Sequence, residues 1–360
     1  MHRLSRWICS SALLALAALL ISPAPAQAGD TSGTVKVMTY NVNEGSDFVE
    51  VLSAQSVTDF VQAVQITLNE VDASNPPLRM QAVAHQIAID QPDLVGLQEV
   101  STWLTGNPAA PTVRYDMLQE LMAALAAQGQ HYKVVVVVPE FQLAGPLPDF
   151  TNYVIVQDTD VMLARSDKGD LSLSNVNSGT YNTLLQLPLP APLPAVTIQR
   201  GWGSADVSLH GQNFRFIVTH IENFLAPAAA YTLYIQQSQV QQLASGPAGI
   251  SDRPVIIAGD FNADALGGDQ SLLTWQLMQT LGFTDAWAAR YPNVAAPTWP
   301  LLDSSPTSAS AFQRIDYIWT KGPIRPLNLS QAGTDPQSKV GGLWPSDHAG
   351  VRAQLQFTRQ

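Results

Sequence analysis

The stretch "PVIIAGDFN", residues 254 to 262, decides how this chain folds. Val255, Ile256 and Ile257 form an apolar, β-branched run of strand length, which then stops at Asp260 and Asn262, two groups that an ordinary core strand does not choose. Runs of the same kind lie on both sides of it. They are "VKVMTYN" (35 to 41), "DLVGLQE" (93 to 99), "KVVVVV" (133 to 138), "DVMLAR" (160 to 165), "FRFIVTH" (214 to 220), "RIDYIW" (314 to 319) and "GVRAQLQF" (350 to 357). Between them, Met80, Val83 and Ile87 make one helical stripe, and Met117, Leu118, Leu121, Met122 and Leu125 another. Two more helices are expected around 231 to 245 and 269 to 281. Strands and helices in this order predict an α/β layered sandwich, sheets covered by helices. The proline clusters at 188 to 194 and around 296 to 306 read as surface loops, because strand-like sequence resumes after each.

Composition agrees with a folded core. Of 360 residues, 46% are hydrophobic and 13% charged, which excludes a disordered chain. Arg3 and Arg6 precede an apolar run from Ile8 to Ile21, and Ala26, Gln27 and Ala28 follow in a small-x-small pattern. Residues 1 to 28 are therefore expected to be a cleaved signal that sends the protein to the periplasm or outside the cell, with 29 to 360 as a single catalytic domain. The apolar run is too short to span a bilayer comfortably, and no transmembrane segment is expected. The only cysteine, Cys9, lies in that signal, so neither a disulfide nor a zinc thiolate site is available. A formal charge of −11 disfavours sequence-independent binding to a phosphate backbone.

The informative residues are positional. Four apolar strands end in a polar group: Asn41, Glu99, His220, and Asp260 with Asn262. In α/β proteins the carboxyl ends of strands are where sites gather. Asp316 lies inside "RIDYIW", where a lone buried carboxylate costs several kcal/mol unless a donor meets it, and His348 of "PSDHAGV" is the natural partner. Taken singly, each residue has a structural reading, as a turn cap, a surface ion pair or a satisfied histidine. Taken together, in this order, they point to one site.

The set "MTYNV", "LQEV", "RGWGSADV", "VTHIEN", "AGDFNAD", "RIDYIW" and "PSDHAGV" resembles the endonuclease/exonuclease/phosphatase superfamily over nearly the whole chain after the signal. The superfamily includes nucleases, inositol polyphosphate phosphatases and bacterial sphingomyelinases. The resemblance implies a four-layered α/β sandwich, two mixed β-sheets packed face to face with helices outside. It implies a phosphoester substrate, which needs a hard cation, an oriented water and proton management. Mg²⁺ is the expected ion and Mn²⁺ the alternative, both suited to oxygen ligands. By the same resemblance Glu99 and Asn41 hold the metal, with Asp347 joining directly or through water. Asp260 orients or deprotonates the attacking water, Asn262 contacts the scissile phosphate, and His348, positioned by Asp316, binds a phosphate oxygen or transfers a proton. His220 and Arg165 are expected to supply further substrate contacts. Several nucleases of the family carry an acid where this chain has Asn43, so no metal role is expected there.

The segment from Glu44 to Pro77 reads as an acidic helical insertion, with six acids and no Lys or Arg. Val57, Phe60, Val61, Val64, Leu68 and Val71 share a helical face, started by Ser56 and Asp59. It reads either as a packed surface helix or as a lid beside the site. An acidic wall there disfavours duplex DNA and favours a smaller or lipid-borne phosphoester. Nuclease, sphingomyelinase-like lipid phosphodiesterase, phosphomonoesterase and a catalytically retired binding protein are the alternatives, and no obligate protein partner is evident.

Overall fold

Whether those polar strand ends meet depends on how the strands are ordered. The computed structural model describes residues 33–250 and 252–358; the expected signal at 1–28 lies outside them. The first strands are β1 (Thr34–Asn41), β2 (Leu94–Gln98), β3 (Thr102–Gly106), β4 (Thr112–Asp116), β5 (Tyr132–Pro146) and β6 (Tyr153–Arg165). Next come β7 (Ser172–Thr180), β8 (Leu185–Leu187), β9 (Val196–Ile198), β10 (Gly201–Leu209), β11 (Gln212–His220), β12 (Val255–Asp260), β13 (Thr284–Asp285) and β14 (Asp316–Lys321). The last are β15 (Ile324–Ala332) and β16 (Gly350–Phe357). The helices are α1 (Val49–Ser53), α2 (Val57–Ser74), α3 (Pro76–Asp90), α4 (Met117–Ala127), α5 (Ala229–Ser245), α6 (Leu272–Thr280) and α7 (Ala286–Arg290).

Two mixed sheets result. One runs β15-β16-β1-β2-β6-β3-β4, with β5 also paired to β6; the other runs β13-β14-β12-β11-β10-β7. β1 with β2 and β11 with β12 are parallel, and their neighbours are antiparallel. The inner faces share one apolar core, in which Val37, Leu94 and Met162 of the first sheet meet Val218, Ile256 and Ile318 of the second. On the outside, Met80, Val83 and Leu121 of α3 and α4 cover Met38, Val95 and Leu97. Val240, Leu243 and Met278 of α5 and α6 cover Ile217, Ile257 and Trp319. This is the expected four-layered sandwich. The central strands bury both faces, which explains why they are continuously apolar.

The expected strands and helices are present with small shifts at their ends, and β5 and β6 are longer than expected. Of the strands not foreseen, β3, β4, β7 and β8 are short or largely exposed, and their sequences carry little apolar period, whereas β10 is nine residues long and mostly buried but interrupted in sequence by Gly203, Ser204 and Asp206. The proline cluster at 188 to 194 is the turn between β8 and β9.

Register brings the polar ends together. Asn41 stands opposite Gln98, so β1 and β2 finish side by side. His220 stands opposite Asp260, and Asp260 opposite Asp316, so three polar groups sit level across the second sheet. Gly96 lets the sheets close on each other at that level, since a Cβ there would lie 3.0 Å from Val218 Cγ2 and 3.1 Å from Ala258 Cβ. Any larger residue at 96 would push the two sets of strand ends apart.

Candidate active site

Glu99 and Asn262 follow their strands with φ of +58° and +47°, in the left-handed region. Holding a non-glycine residue there costs about 1–3 kcal/mol, and such strain is kept where it aims a side chain. It turns both side chains out of the strand line and into a shared pocket. Asn41 stitches the two sheets across that pocket, its Nδ2 donating to Glu99 Oε1 at 2.7 Å and to Asp260 Oδ2 at 3.0 Å. Its Oδ1 accepts from the Asn43 N–H at 3.0 Å. Asn41 thus bridges two carboxylates as a donor. Asn43 uses its own side chain to accept from Gly45 N–H.

Asp260 is buried and accepts from the Asn262 backbone N–H at 2.9 Å. Burial and the neighbouring Asp316 carboxylate push its pKa up to about 7. His348 Nδ1 meets Asp316 Oδ2 at 2.9 Å, as expected from the sequence, and lies 3.8 Å from Asp260 Oδ2. Burial alone would lower the histidine's pKa, but Asp316, Asp347 and Asp260 together hold it well above its usual value. With Nδ1 turned to Asp316, Nε2 is the nitrogen left for a ligand. Ser346 anchors this corner, donating from Oγ to the Asn41 carbonyl at 2.7 Å and accepting from the His348 N–H at 3.0 Å. Asp347 accepts from Trp299 Nε1 at 3.1 Å.

His220 faces a residue to which the sequence reading gave no role, Arg200 at the head of "RGWGSADV". Arg200 Nη1 lies 3.0 Å from His220 Nδ1. A guanidinium offers only donors, so Nδ1 accepts and Nε2 carries the proton. Burial, with Arg200 and His348 nearby, lowers the His220 pKa well below normal, so the ring is neutral. Its Nε2 lies 3.6 Å from Asp260 Oδ2 and 3.1 Å from Asn262 Nδ2; with the proton on Nε2 those two nitrogens are both donors, and Asn262 Nδ2 donates instead to the Ile221 carbonyl at 3.0 Å. A neutral Nε2–H donor aimed past Asp260 can contact a phosphate oxygen.

Behind Arg200 lies a second group of buried acids, Glu140, Asp158, Asp160 and Glu222. Glu222 Oε1 is 3.7 Å from Arg200 Nε, and Asp160 Oδ1 is 4.0 Å from His220 Nδ1. Both oxygens of Glu140 and both of Asp160 lack a hydrogen-bond partner. Sequence gave little warning of this cage. Its one signal was the pair Asp158 and Asp160 inside an otherwise apolar strand.

Arg165, expected to touch substrate, is not at the site. β6 runs antiparallel to β2 and sets Ala164 opposite Leu94, at the start of β2, whereas Glu99 follows its end. Arg165 is instead held by Asp167 at 2.8 Å and Gln91 at 3.0 Å. The cation near the site is Arg200. The acidic segment does border the pocket, which Glu44, Asp47, Phe48, Leu52 and Glu70 line together with Glu99, Asp260 and His348. Its helix also packs, Phe60, Val64 and Leu68 joining Trp103 and Val156 in one cluster, with Ser56 capping through the Asp59 N–H.

The donor set fits a hard divalent cation. Glu99, His220 and Asp260 each offer a ligand atom within 4.8 Å of the others, as do Asp260, Asp316 and His348. Glu99 is held above the usual carboxylate range by burial and then by Asp347, and a cation between them would reverse that repulsion. Carboxylate and amide oxygens without thiolate suit Mg²⁺ or Mn²⁺.

A model of the Endonuclease/Exonuclease/phosphatase family matches residues 38–348. No curated protein sequence matches. Among solved structures, the chain is similar to the endonuclease/exonuclease/phosphatase from Bacteroides vulgatus, at 17% identity and a TM-score of 0.55, covering 90% of this chain and 99% of that one. It is similar to D. rerio TDP2 complexed with single strand DNA product, at 15% identity and 0.51, covering 90% and 99%. A third likeness is to a mannosyl-6-phosphatase of Bacteroides thetaiotaomicron, at 15% and 0.51, covering 90% and 100%.

Proposed function

The chain belongs to the endonuclease/exonuclease/phosphatase family, a phosphoester hydrolase fold whose enzymes depend on divalent metals, and from that premise we propose that it is an exported, Mg²⁺-dependent phosphodiesterase. The observation that carries the reading is the convergence of Glu99, Asp260, Asn262 and His348 on one pocket, with His220 packed against Asp260 and Asp316 against His348. Glu99 and Asp347, with Asn41 between the sheets, would hold the ion. When bound, the ion would neutralise charge on the phosphate and lower the barrier to water attack.

The protein's own groups divide the remaining work. Asp260, with a pKa near 7 and its Oδ1 fixed by Asn262, is placed to orient and deprotonate water at neutral pH. His348 is kept charged by Asp316 and presents Nε2–H to a phosphate oxygen or to the departing alcohol. His220, neutral and protonated on Nε2, gives a second contact, and the Asn262 amide a third. The test is hydrolysis of a simple aryl phosphodiester by the purified chain with Mg²⁺, with Mn²⁺ and with excess chelator. Turnover that survives chelation would remove the metal from this reading.

Export rests on the arginines and apolar run before Ala26-Gln27-Ala28. Among the described residues, no helix is long and apolar enough to cross a membrane. The check is sequencing the amino terminus of protein recovered from periplasm and medium, where a chain starting at Gly29 is expected. Uncleaved protein confined to the cytoplasm would count against export.

A further inference from the structure

The pocket does not end at the catalytic groups. It extends over about 640 Å³, and its lining includes an apolar set, Leu185, Leu187 and Ile198 of the β8–β9 hairpin with Phe48 and Leu52 of the acidic segment. Phe48 is not a loose loop residue. It stacks on Trp103 at 6.0 Å between ring centroids and meets the edge of Phe141 at 5.6 Å, while Trp103 Nε1 donates to the Glu44 carbonyl at 2.9 Å. Leu52, which lines the pocket, is 48% exposed, so its apolar surface reaches solvent.

Charge excludes one large class of occupant. Nine carboxylates line the pocket against one guanidinium, Arg200, which is buried and committed to His220. A nucleic-acid strand draws its binding strength from several Lys and Arg contacts along successive phosphates, and this pocket has none to offer beyond the reacting one. A substrate with a single phosphate escapes that repulsion, and an apolar group on it gains by covering the leucine wall.

We propose that the substrate is a single-phosphate diester of a long apolar alcohol, whose phosphate lies at Asp260 and His348 and whose apolar group lies between the β8–β9 hairpin and Phe48. This rests on the phosphodiesterase reading and names its substrate class.

The experiment compares 4-nitrophenyl methyl phosphate with 4-nitrophenyl octyl phosphate, below its micelle concentration, with Mg²⁺. The octyl ester is expected to be the better substrate on the order of 100-fold in kcat/KM, from the burial of several methylenes. In Leu187→Asn and Ile198→Asn that ratio should fall towards one, with Tm reporting whether the variants are folded. Binding of the non-hydrolysable methyl and octyl methylphosphonates to the wild-type chain, by calorimetry, separates the two readings. Tighter octyl binding without hydrolysis of either ester would leave the subsite standing and overturn the phosphodiesterase. Equal turnover and equal binding of the two chain lengths, or duplex DNA cleaved faster than the octyl ester, would overturn the subsite. A long-chain phosphodiester presented in vesicles, set against the monomeric octyl ester, tells a membrane source from a soluble one; faster turnover in either arm than of the methyl ester supports the apolar alcohol.

Discussion

Two groups of carboxylates stand on either side of His220, and they are built in opposite ways. On the pocket side, Asp260 accepts from Asn41 and Asn262, Asp316 from His348, and Asp347 from Trp299. On the inner side, Glu140 and Asp160 have no hydrogen-bond partner at either oxygen, and one guanidinium, Arg200, serves the whole group. Buried carboxylates without donors are costly as anions. The inner acids are accordingly raised: Glu140 and Asp160 well above the usual range, by burial and then by one another or Asp158, and Asp158 to about 7, by burial and then Glu99. The pocket side is arranged to meet a cation and an anion, the inner side to store protons around a fixed cation. A count of acids does not distinguish them; hydrogen-bond partners do.

The largest effect that could break this division is at Glu99. Glu99→Gln is expected to lower kcat/KM on the order of 10³-fold, with Tm changed by little and Mg²⁺ binding lost by calorimetry. Wild-type activity in that variant would place the cation elsewhere. Next, Asp316→Asn and His348→Gln should each cost about 10²–10⁴-fold in turnover, the range for a general acid or base. Their double variant should cost little more than the worse single one, because the two act as a unit. Independent, additive losses would separate Asp316 from His348.

Arg200 sharpens the boundary between the two groups. Arg200→Gln removes the guanidinium that stands among Glu140, Asp158, Asp160 and Glu222 and should cost about 3–5 kcal/mol of stability, as breaking a buried pair does. Nitrogen NMR of the His220 ring should show the Nε2–H tautomer in the wild type and in Arg200→Lys, another donor without an acceptor, and loss of that preference in Arg200→Gln. An Nδ1–H ring in the wild type would refute the assignment.

The smallest effect is on stability against pH. Asp158, Asp160 and Glu140 have folded pKa values above their unfolded ones, so the folded chain holds protons that the unfolded chain releases. Their contribution is complete below the unfolded carboxylate pKa of about 4 and is lost as pH rises through 7 and beyond. In chelator, Tm is therefore expected to fall by several degrees from pH 5 to pH 8, and by less in Asp160→Asn. A drop of the same size in Asp160→Asn would mean the cage is not its source.

Much of the site is legible in the sequence. Asn41, Glu99, His220, Asp260, Asn262 and His348 stood out because each interrupts or ends an apolar run, and Asp316 because it sits inside one. Arg165, expected to supply a substrate contact, also ends a strand, but far from Glu99. Which end of the sheet a strand reaches depends on its direction, and direction is a property of pairing: β6 runs against β2 and carries Arg165 away from Glu99. Arg200 and Glu140 were not singled out, and the expected strand began at Asp160 and left Asp158 outside it, whereas β6 holds both.

The amino-acid sequence by itself determined the alternation of strand and helix, the absence of thiol chemistry in the described chain, and the types of group available for phosphoester chemistry. These follow from local period and residue type, which a linear pattern carries. Only the tertiary structure decided that Asn41 would meet Asp260 across 219 residues, that His220 would be held neutral by burial and by Arg200, and that Asp260 would be given hydrogen-bond donors while Glu140 and Asp160 were buried without them. Those outcomes depend on sheet order, register and the close approach of β2 to β11 and β12 at Gly96, and each is fixed by packing summed over the whole core rather than by any short stretch of it.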